Sequence, residues 1–194
     1  MSEEERKAPS RVRITGLQEH QLAPLVELEK ACSEMYWSQG FDAAEVPART
    51  LSDLVQLTKK HDVHVAEADD VVAGYLAWRD EAPGVAYVEE LNVHPDYQRF
   101  GIATRLLAEL ADKARGHGIG EVLVRAWTKA AWAQGFYRQI GFREVDGAVP
   151  EKVRAWATVA EGSARPRTRA GEVLLWAPVA SLHAPQAAPT PADE

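Results

Sequence analysis

The apolar-acidic stretch Tyr87-Val88-Glu89-Glu90-Leu91-Asn92-Val93 runs on to Gln98-Arg99-Phe100-Gly101-Ile102-Ala103, and an amphipathic pattern follows at once. The order is strand, glycine turn, helix start. Such a corner leaves several backbone N–H groups of the first helical turn without partners, converging on one spot and reinforced by the helix dipole. That spot suits a phosphate. Gly101 and the small Ala103 permit close approach to the main chain, while Arg99 and Arg105 bring positive charge. An isolated Gly-x-Ala corner is more often only a tight turn, so its weight depends on what else the chain carries.

Other phosphate motifs are excluded. Gly116-His117-Gly118-Ile119-Gly120 follows a helical pattern and precedes a strand, the reverse of a dinucleotide fingerprint, and it reads as a helix stop and loop. No Gly-Lys-Ser or Gly-Lys-Thr occurs, which removes the nucleotide triphosphatase loop.

The remaining pattern alternates strands and helices. Arg11–Thr15 alternates as a strand, Leu22, Leu25, Val26, Leu28 and Glu29 keep a helical period, and a second helix is expected at about 48–59. The acidic turn Asp69-Asp70 parts two strands of a hairpin, 64–67 and 71–78. Ala103, Leu106, Leu107, Leu110, Ala111 and Ala114 form one apolar stripe after the turn. Val122-Leu123-Val124 reads as a strand buried on both faces, a short helix stops at Gly141, residues 150–161 read as a helix and 172–176 as a last strand.

Two blocks in this order carry a resemblance. Gln-x-x-Gly-x-Ala at Gln98–Ala103, after Leu-x-Val at Leu91–Val93, resembles the acyl-CoA pyrophosphate loop of the GNAT superfamily of N-acetyltransferases, and Phe136-Tyr137-Arg138-Gln139-Ile140-Gly141-Phe142 is similar to that superfamily's Tyr-x-x-x-Gly-Phe helix end. The resemblance covers residues 11 to about 178. It implies an α+β fold, the GNAT acyl-CoA N-acyltransferase fold, in which a central mixed, twisted sheet carries helices on both faces and two neighbouring parallel strands splay to admit the pantetheine arm. Acetyl-CoA is the implied cosubstrate and a primary amine of a small molecule or peptide the implied acceptor, with direct transfer between them.

The resemblance also assigns residues. Leu91, Asn92 and Val93 offer backbone groups to the pantetheine arm, with the Leu91 N–H at a developing oxyanion. Gln98, Arg99, Phe100, Gly101, Ile102, Ala103 and Thr104 form the cofactor loop, the pyrophosphate resting on the N–H groups between Arg99 and Thr104. Tyr137 matches the tyrosine that donates a proton to the CoA sulfur; on residue type alone it could equally be a half-buried aromatic. Many relatives carry Asn early in this helix, whereas Thr128–Gln134 has none, leaving Thr128 or Gln134 to substitute.

Glu89 and Glu90 are the base candidates, matching an acidic pair at this place in polyamine acetyltransferases. Adjacent strand residues point to opposite faces, so without a local bulge only one can face substrate. Glu89 is assigned as the base and Glu90 as its neighbour or an anchor for the amine; a solvated carboxylate or a structural ion pair is the alternative for both. The acceptor is expected between Met35–Phe41, the loop near Trp132 and the segment after Phe142, with Tyr36, Trp37 and Phe41 offering an aromatic wall. A runner-up activity of a different class is a catalytically weak acyl-CoA-binding sensor or interaction module.

Composition sets the bounds. The length of 194 residues fits one domain, read as 11–180, with a disordered lead at 1–10 and an Ala/Pro-rich disordered tail at 181–194. A net charge of -7 argues against nucleic acid and anionic membrane as partners and permits a cationic substrate. The charged start Met1–Lys7 is no secretory signal, no apolar run is long enough to span a bilayer, and a single cysteine fits a reducing cytoplasm. Cys32 falls on an apolar helix face and is expected to be structural. The arc Arg165–Arg169 reads as a solvated basic loop, and a homodimer is left open. The six histidines show no metal spacing, so no metal is expected.

Overall fold

The structure, a computed structural model, describes residues 7–146, 148–161 and 170–183. Residues 1–6, the Arg165–Arg169 loop and the tail beyond His183 lie outside them. Within them, Ser10 hydrogen-bonds to the Asp69 carboxylate and Leu182 is buried in the core.

Seven strands form one sheet in the order β1-β2-β3-β4-β5-β7-β6. They are β1 (Val12–Gly16), β2 (Asp62–Ala68), β3 (Val71–Ala82), β4 (Val85–Val93), β5 (Glu121–Trp127), β6 (Arg143–Glu144) and β7 (Glu172–Pro178). Neighbours are antiparallel except β4 and β5, which are parallel, so the sheet is mixed as expected. Asp69 and Asp70, both at positive φ (47° and 66°), make the β2–β3 turn, a conformation that acidic and amide side chains tolerate better than most.

The helices are α1 (Leu22–Ser38), α2 (Leu51–Thr58), α3 (Ile102–Gly116), α4 (Ala131–Gln139) and α5 (Glu151–Glu161). The second begins at Leu51 rather than near residue 48, because Thr50 and Asp53 form a reciprocal capping box that fixes the first turn there. Both faces of the sheet are covered. Leu106, Leu107, Leu110 and Ala111 of α3 and Tyr137 of α4 pack with Leu76, Trp78, Val88 and Val124 on one face. On the other, Leu25, Leu28 and Cys32 of α1 and Leu54 and Leu57 of α2 meet Tyr75 and Ala77, while Val153 and Trp156 of α5 meet Val85, Tyr87 and Trp176. Removing that apolar surface from water is what ties helices of weak individual stability to the sheet.

Candidate active site

Among the described residues the sheet is interrupted at its one parallel pair, β4 and β5. Pairing of β4 with β5 runs from Val85↔Glu121 to Val88↔Val124 and stops, although β4 continues to Val93 and β5 to Trp127. Each strand stays paired on its outer side, β4 with β3 and β5 with β7. Main-chain groups in the resulting gap can be assigned. His94 N donates to Ala73 O (2.9 Å), and bonded and non-bonded pairs alternate along an antiparallel ladder. Asn92↔Tyr75 and Glu90↔Ala77 are therefore bonded pairs, whereas Val93↔Gly74 and Leu91↔Leu76 are not. The N–H and C=O groups of Leu91 and Val93 point away from β3 into the gap.

A β-bulge sits at the head of that gap. Trp78 pairs with Val88 and Ala77 with Glu90, so Glu89 is the extra residue. Side-chain parity flips there: Val85 and Tyr87 share the α5 face before the bulge, and Glu90 and Asn92 turn to the α1 face, which is the same side of the sheet, after it. The rule that only one of the two acids faces the cavity applies to a strand without a local bulge, and β4 has one. Both line one cavity of about 1190 Å³.

Their surroundings differ. Glu89 has His61 Nε2 at 3.8 Å, Arg79 Nη1 at 2.8 Å and Arg125 Nη2 at 3.7 Å, and together they hold its carboxyl down at about 2 against the opposing effect of burial. Arg125 is itself held by the Tyr87 phenol and by Glu172 at 3.4 Å. Glu90 has one cation, Arg49, whose Nε (3.1 Å) and Nη2 both donate to Oε1. Burial outweighs that pair and, helped by nearby Glu29, pushes the Glu90 carboxyl up to about 7. Glu29 accepts from the Tyr75 hydroxyl (2.7 Å), Asn92 Nδ2 (2.6 Å) and the Arg49 backbone N–H (3.4 Å).

The loop beyond β4 is built as a cradle. Arg99 and Gly101 both take positive φ, 72° and 74°, so the chain turns sharply before Ile102 begins α3. Arg105 N donates to Gly101 O (3.0 Å) as the first helical bond, leaving the N–H groups of Ile102, Ala103 and Thr104 without an intrahelical acceptor. No side chain caps them, and neither Arg99 nor Arg105 forms an ion pair among the described residues. Gln98 has a structural part: its Nε2 donates to Val93 O (3.1 Å) and fastens the loop to the strand end. Close packing is essential at Gly74, where a Cβ would meet Asn92 O at 2.8 Å and Ile102 at 3.3 Å.

Tyr137 is buried on the cavity wall with Phe136 and Phe142 around its ring, and burial pushes its phenol above the ordinary value. Cys32 is buried too, donates to Val93 O (3.5 Å), and has its thiol pushed up to about 12 by burial, so the nucleophilic thiolate is suppressed. Thr128 Oγ1 donates to Gly171 O (2.8 Å) and Gln134 Nε2 to the carbonyls of Trp127 and Thr128, so both polar side chains proposed to replace the missing Asn are spent on local backbone.

Of the residues assigned from sequence to catalysis and to the cofactor, all but Phe100 line the cavity: Glu89, Glu90, Leu91, Asn92, Val93, Gln98, Arg99, Gly101, Ile102, Ala103, Thr104 and Tyr137; Arg105, named as a nearby charge, does not. Tyr36 and Trp132 line the far wall with ring centroids 5.3 Å apart, and the buried Phe41 packs against Tyr36 at 5.1 Å; Trp37 does not line the cavity and donates to Val46 O. Sequence reasoning missed Arg49, Glu29 and Arg125. Glu29 and Arg125 left traces, the first as an acid on the apolar period of the first helix and the second as a charge closing the buried run Val122-Leu123-Val124, whereas Arg49 left none. Among the described residues no group of three or more His, Cys, Asp or Glu is placed to hold a metal ion, and no helix is long and apolar enough to cross a membrane.

Comparison with known proteins agrees with this geometry. The N-alpha-acetyltransferase RimI of Mycobacterium tuberculosis is 37% identical over 94 residues, which are 46% of this chain and 58% of that protein. The chain therefore spans less than two thirds of that relative. Among solved structures, the PaiA N-acetyltransferase of Thermoplasma acidophilum in complex with coenzyme A superposes with a TM-score of 0.69 at 16% identity, over 87% of this chain and 99% of that one. The ribosomal-protein-S18-alanine N-acetyltransferase of Escherichia coli gives 0.61 at 16% identity, over 87% and 94%. A family model for the acetyltransferase (GNAT) family matches residues 22–142, and the chain with this split mixed sheet belongs to the GNAT acetyltransferase family.

Proposed function

We propose that the protein transfers the acetyl group of acetyl-CoA directly to a primary amine, with Glu90 as the general base and Tyr137 as the general acid. The observation that carries this reading is the contrast between the two acids on one cavity wall. Glu89 is held as an anion by Arg79, Arg125 and His61, whereas Glu90 has Arg49 as its one cation and burial raises its carboxyl, so that it can accept a proton and release it again.

Acetyl-CoA supplies an acyl group already activated as a thioester. The residues present fit it: the free N–H groups of Ile102, Ala103 and Thr104 with Arg99 and Arg105 suit its phosphates, and the Leu91 main chain with the Val93 N–H suits an extended amide-bearing arm. Glu90 removes the proton that the attacking amine must lose as the N–C bond forms. The Leu91 N–H faces the gap, where it can stabilise the charge that develops on the thioester oxygen as the N–C bond forms and that is lost again when the C–S bond breaks. Tyr137, kept protonated by burial, gives its proton to the departing sulfur and is restored from solvent.

The relatives favour an α-amino group as acceptor. The 37%-identical relative is named an N-alpha-acetyltransferase, and the E. coli neighbour acts on an alanine of a ribosomal protein. A thiol-release assay with acetyl-CoA and a panel of peptides, amino acids and polyamines tests the proposal. Transfer to amines with release of CoA is expected; acetyl-CoA binding without turnover on the whole panel would overturn it in favour of a sensor.

A further inference from the structure

Two phenols reach the cavity from opposite faces of the sheet. Tyr36 stands on α1, one turn beyond the buried Cys32, and Tyr137 on α4, packed with α3 against the other face. Both line the cavity, and among the described residues neither hydroxyl has a hydrogen-bond partner or is sealed from open space. The polar groups around Tyr36 are already engaged. Cys32 donates to Val93 O, and Glu29 accepts from Tyr75 and Asn92.

The Tyr36 ring is held in place by its neighbours. Phe41 meets it edge-on at 5.1 Å, and Trp132 of α4 lies at 5.3 Å from the other face of the sheet. Its hydroxyl is therefore presented to the cavity before any ligand arrives. Burial and then Glu90 push the Tyr36 phenol above its ordinary value, and burial, Tyr36 and Glu90 do the same to Tyr137, so the two hydroxyls and the Glu90 carboxyl share one neighbourhood and both phenols keep their protons.

An amine taken out of water beside Glu90 needs more than one acceptor, because N–H groups buried without partners oppose binding. Glu90 is one. Tyr36, on the α1 face to which Glu90 also turns, offers a neutral oxygen with free lone pairs as the second. Tyr137 stands on the opposite wall, where the departing sulfur is expected. Resting on the acetyl-transfer reading above, we propose that Tyr36 is a further catalytic residue, whose hydroxyl oxygen accepts a hydrogen bond from the attacking amine and holds its nitrogen between Glu90 and the thioester carbon. The attacking nitrogen carries two hydrogens. Glu90 takes one as the N–C bond forms, and the other, which stays on the product amide, is the one bonded to Tyr36.

The test uses the full chain with alanyl-glycyl-glycinamide as acceptor and isobutyryl-glycyl-glycinamide, in which a methyl group replaces the amine, as a competitive inhibitor. Tyr36→Phe keeps the ring and its contacts with Phe41 and Trp132 and loses only the hydroxyl. It is expected to lower kcat/KM for the acceptor about 10- to 100-fold, the usual worth of a hydrogen bond to a charged group. The inhibitor has no N–H at that position, so its Ki should stay within about threefold of wild type, as should the affinity for acetyl-CoA.

An unchanged kcat/KM would overturn the assignment. So would a Ki that rises as far as kcat/KM falls, which would put the hydroxyl on another part of the acceptor or leave it only shaping the pocket, and so would an equal loss of acetyl-CoA affinity, which would put Tyr36 on the cofactor. Wild type that binds acetyl-CoA yet transfers to no amine of the wider panel would defeat the acetyl-transfer reading itself, a failure distinct from these.

Discussion

Glu89 and Glu90 are consecutive residues whose carboxylates lie on the same side of the sheet, one 2.8 Å from Arg79 and the other paired only with Arg49. The bulge that brings them together gives each a different electrostatic task. A carboxylate gripped by several cations is a fixed charge, whereas one buried beside a single cation can exchange its proton.

For Glu90 the consequence is a pH limb. The base must be ionised, so kcat/KM for a good acceptor should rise with pH through about 7. Glu90→Gln should abolish that limb and lower turnover about 100-fold or more, with a residual rate that climbs as free amine becomes available. A pH series of both proteins checks it, and an intact limb in the variant would move the base elsewhere.

Glu89 is predicted to matter for stability more than for turnover. Its carboxyl is depressed in the folded state, from 4.5 to about 2, so the stability it contributes is complete above the unfolded value and is lost as pH falls from about 4.5 towards 2. Glu89→Gln should cost on the order of 2 kcal/mol at neutral pH and flatten that acid loss. Urea unfolding at pH 7 and pH 3 measures both effects.

Tyr137→Phe removes a hydroxyl and keeps the ring that packs between Phe136 and Phe142. Turnover should fall by about 10-fold or more while acetyl-CoA affinity stays close to wild type. Calorimetric binding alongside steady-state rates separates the two, and an unchanged rate with chemistry limiting would return the residue to a packing role.

The cradle is tested at two glycines. Gly101→Asp puts a carboxylate at a positive-φ position under the free N–H groups, and should abolish most of the thermal shift produced by acetyl-CoA. Gly74→Ala drives a methyl into the Asn92 carbonyl 2.8 Å away, which cannot yield as a side-chain tip could. About 1–3 kcal/mol of stability and a weaker acetyl-CoA shift are expected, because Ile102 at the start of α3 is pushed as well.

Local chemistry made much of this legible from sequence. The Asp69-Asp70 turn, the α3 stripe and the glycine corner at Gly101 each depend on residues within one turn of each other, and each lies where the pattern put it. The bulge at Glu89 has no such signature: it is set by how β3 and β4 meet, and a two-residue period assumed across it puts Glu90 on the wrong face. Arg49 was hidden for a different reason. It lies 41 residues from Glu90 on a segment without helix or strand, where no period constrains which side chain turns inward.

The gap between β4 and β5 also bears on how the molecule behaves towards its own copies. An unpaired strand edge at the rim of a sheet invites another chain to add to it, the usual seed of aggregation. Here the open edges of residues 89–93 and 125–127 face each other inside the sheet, with β3 beyond one and β7 beyond the other. A folded neighbour is too broad to enter such a wedge. The backbone of Leu91 is therefore left without a strand partner inside the sheet rather than at its rim, where only something as slender as a single extended chain can reach it.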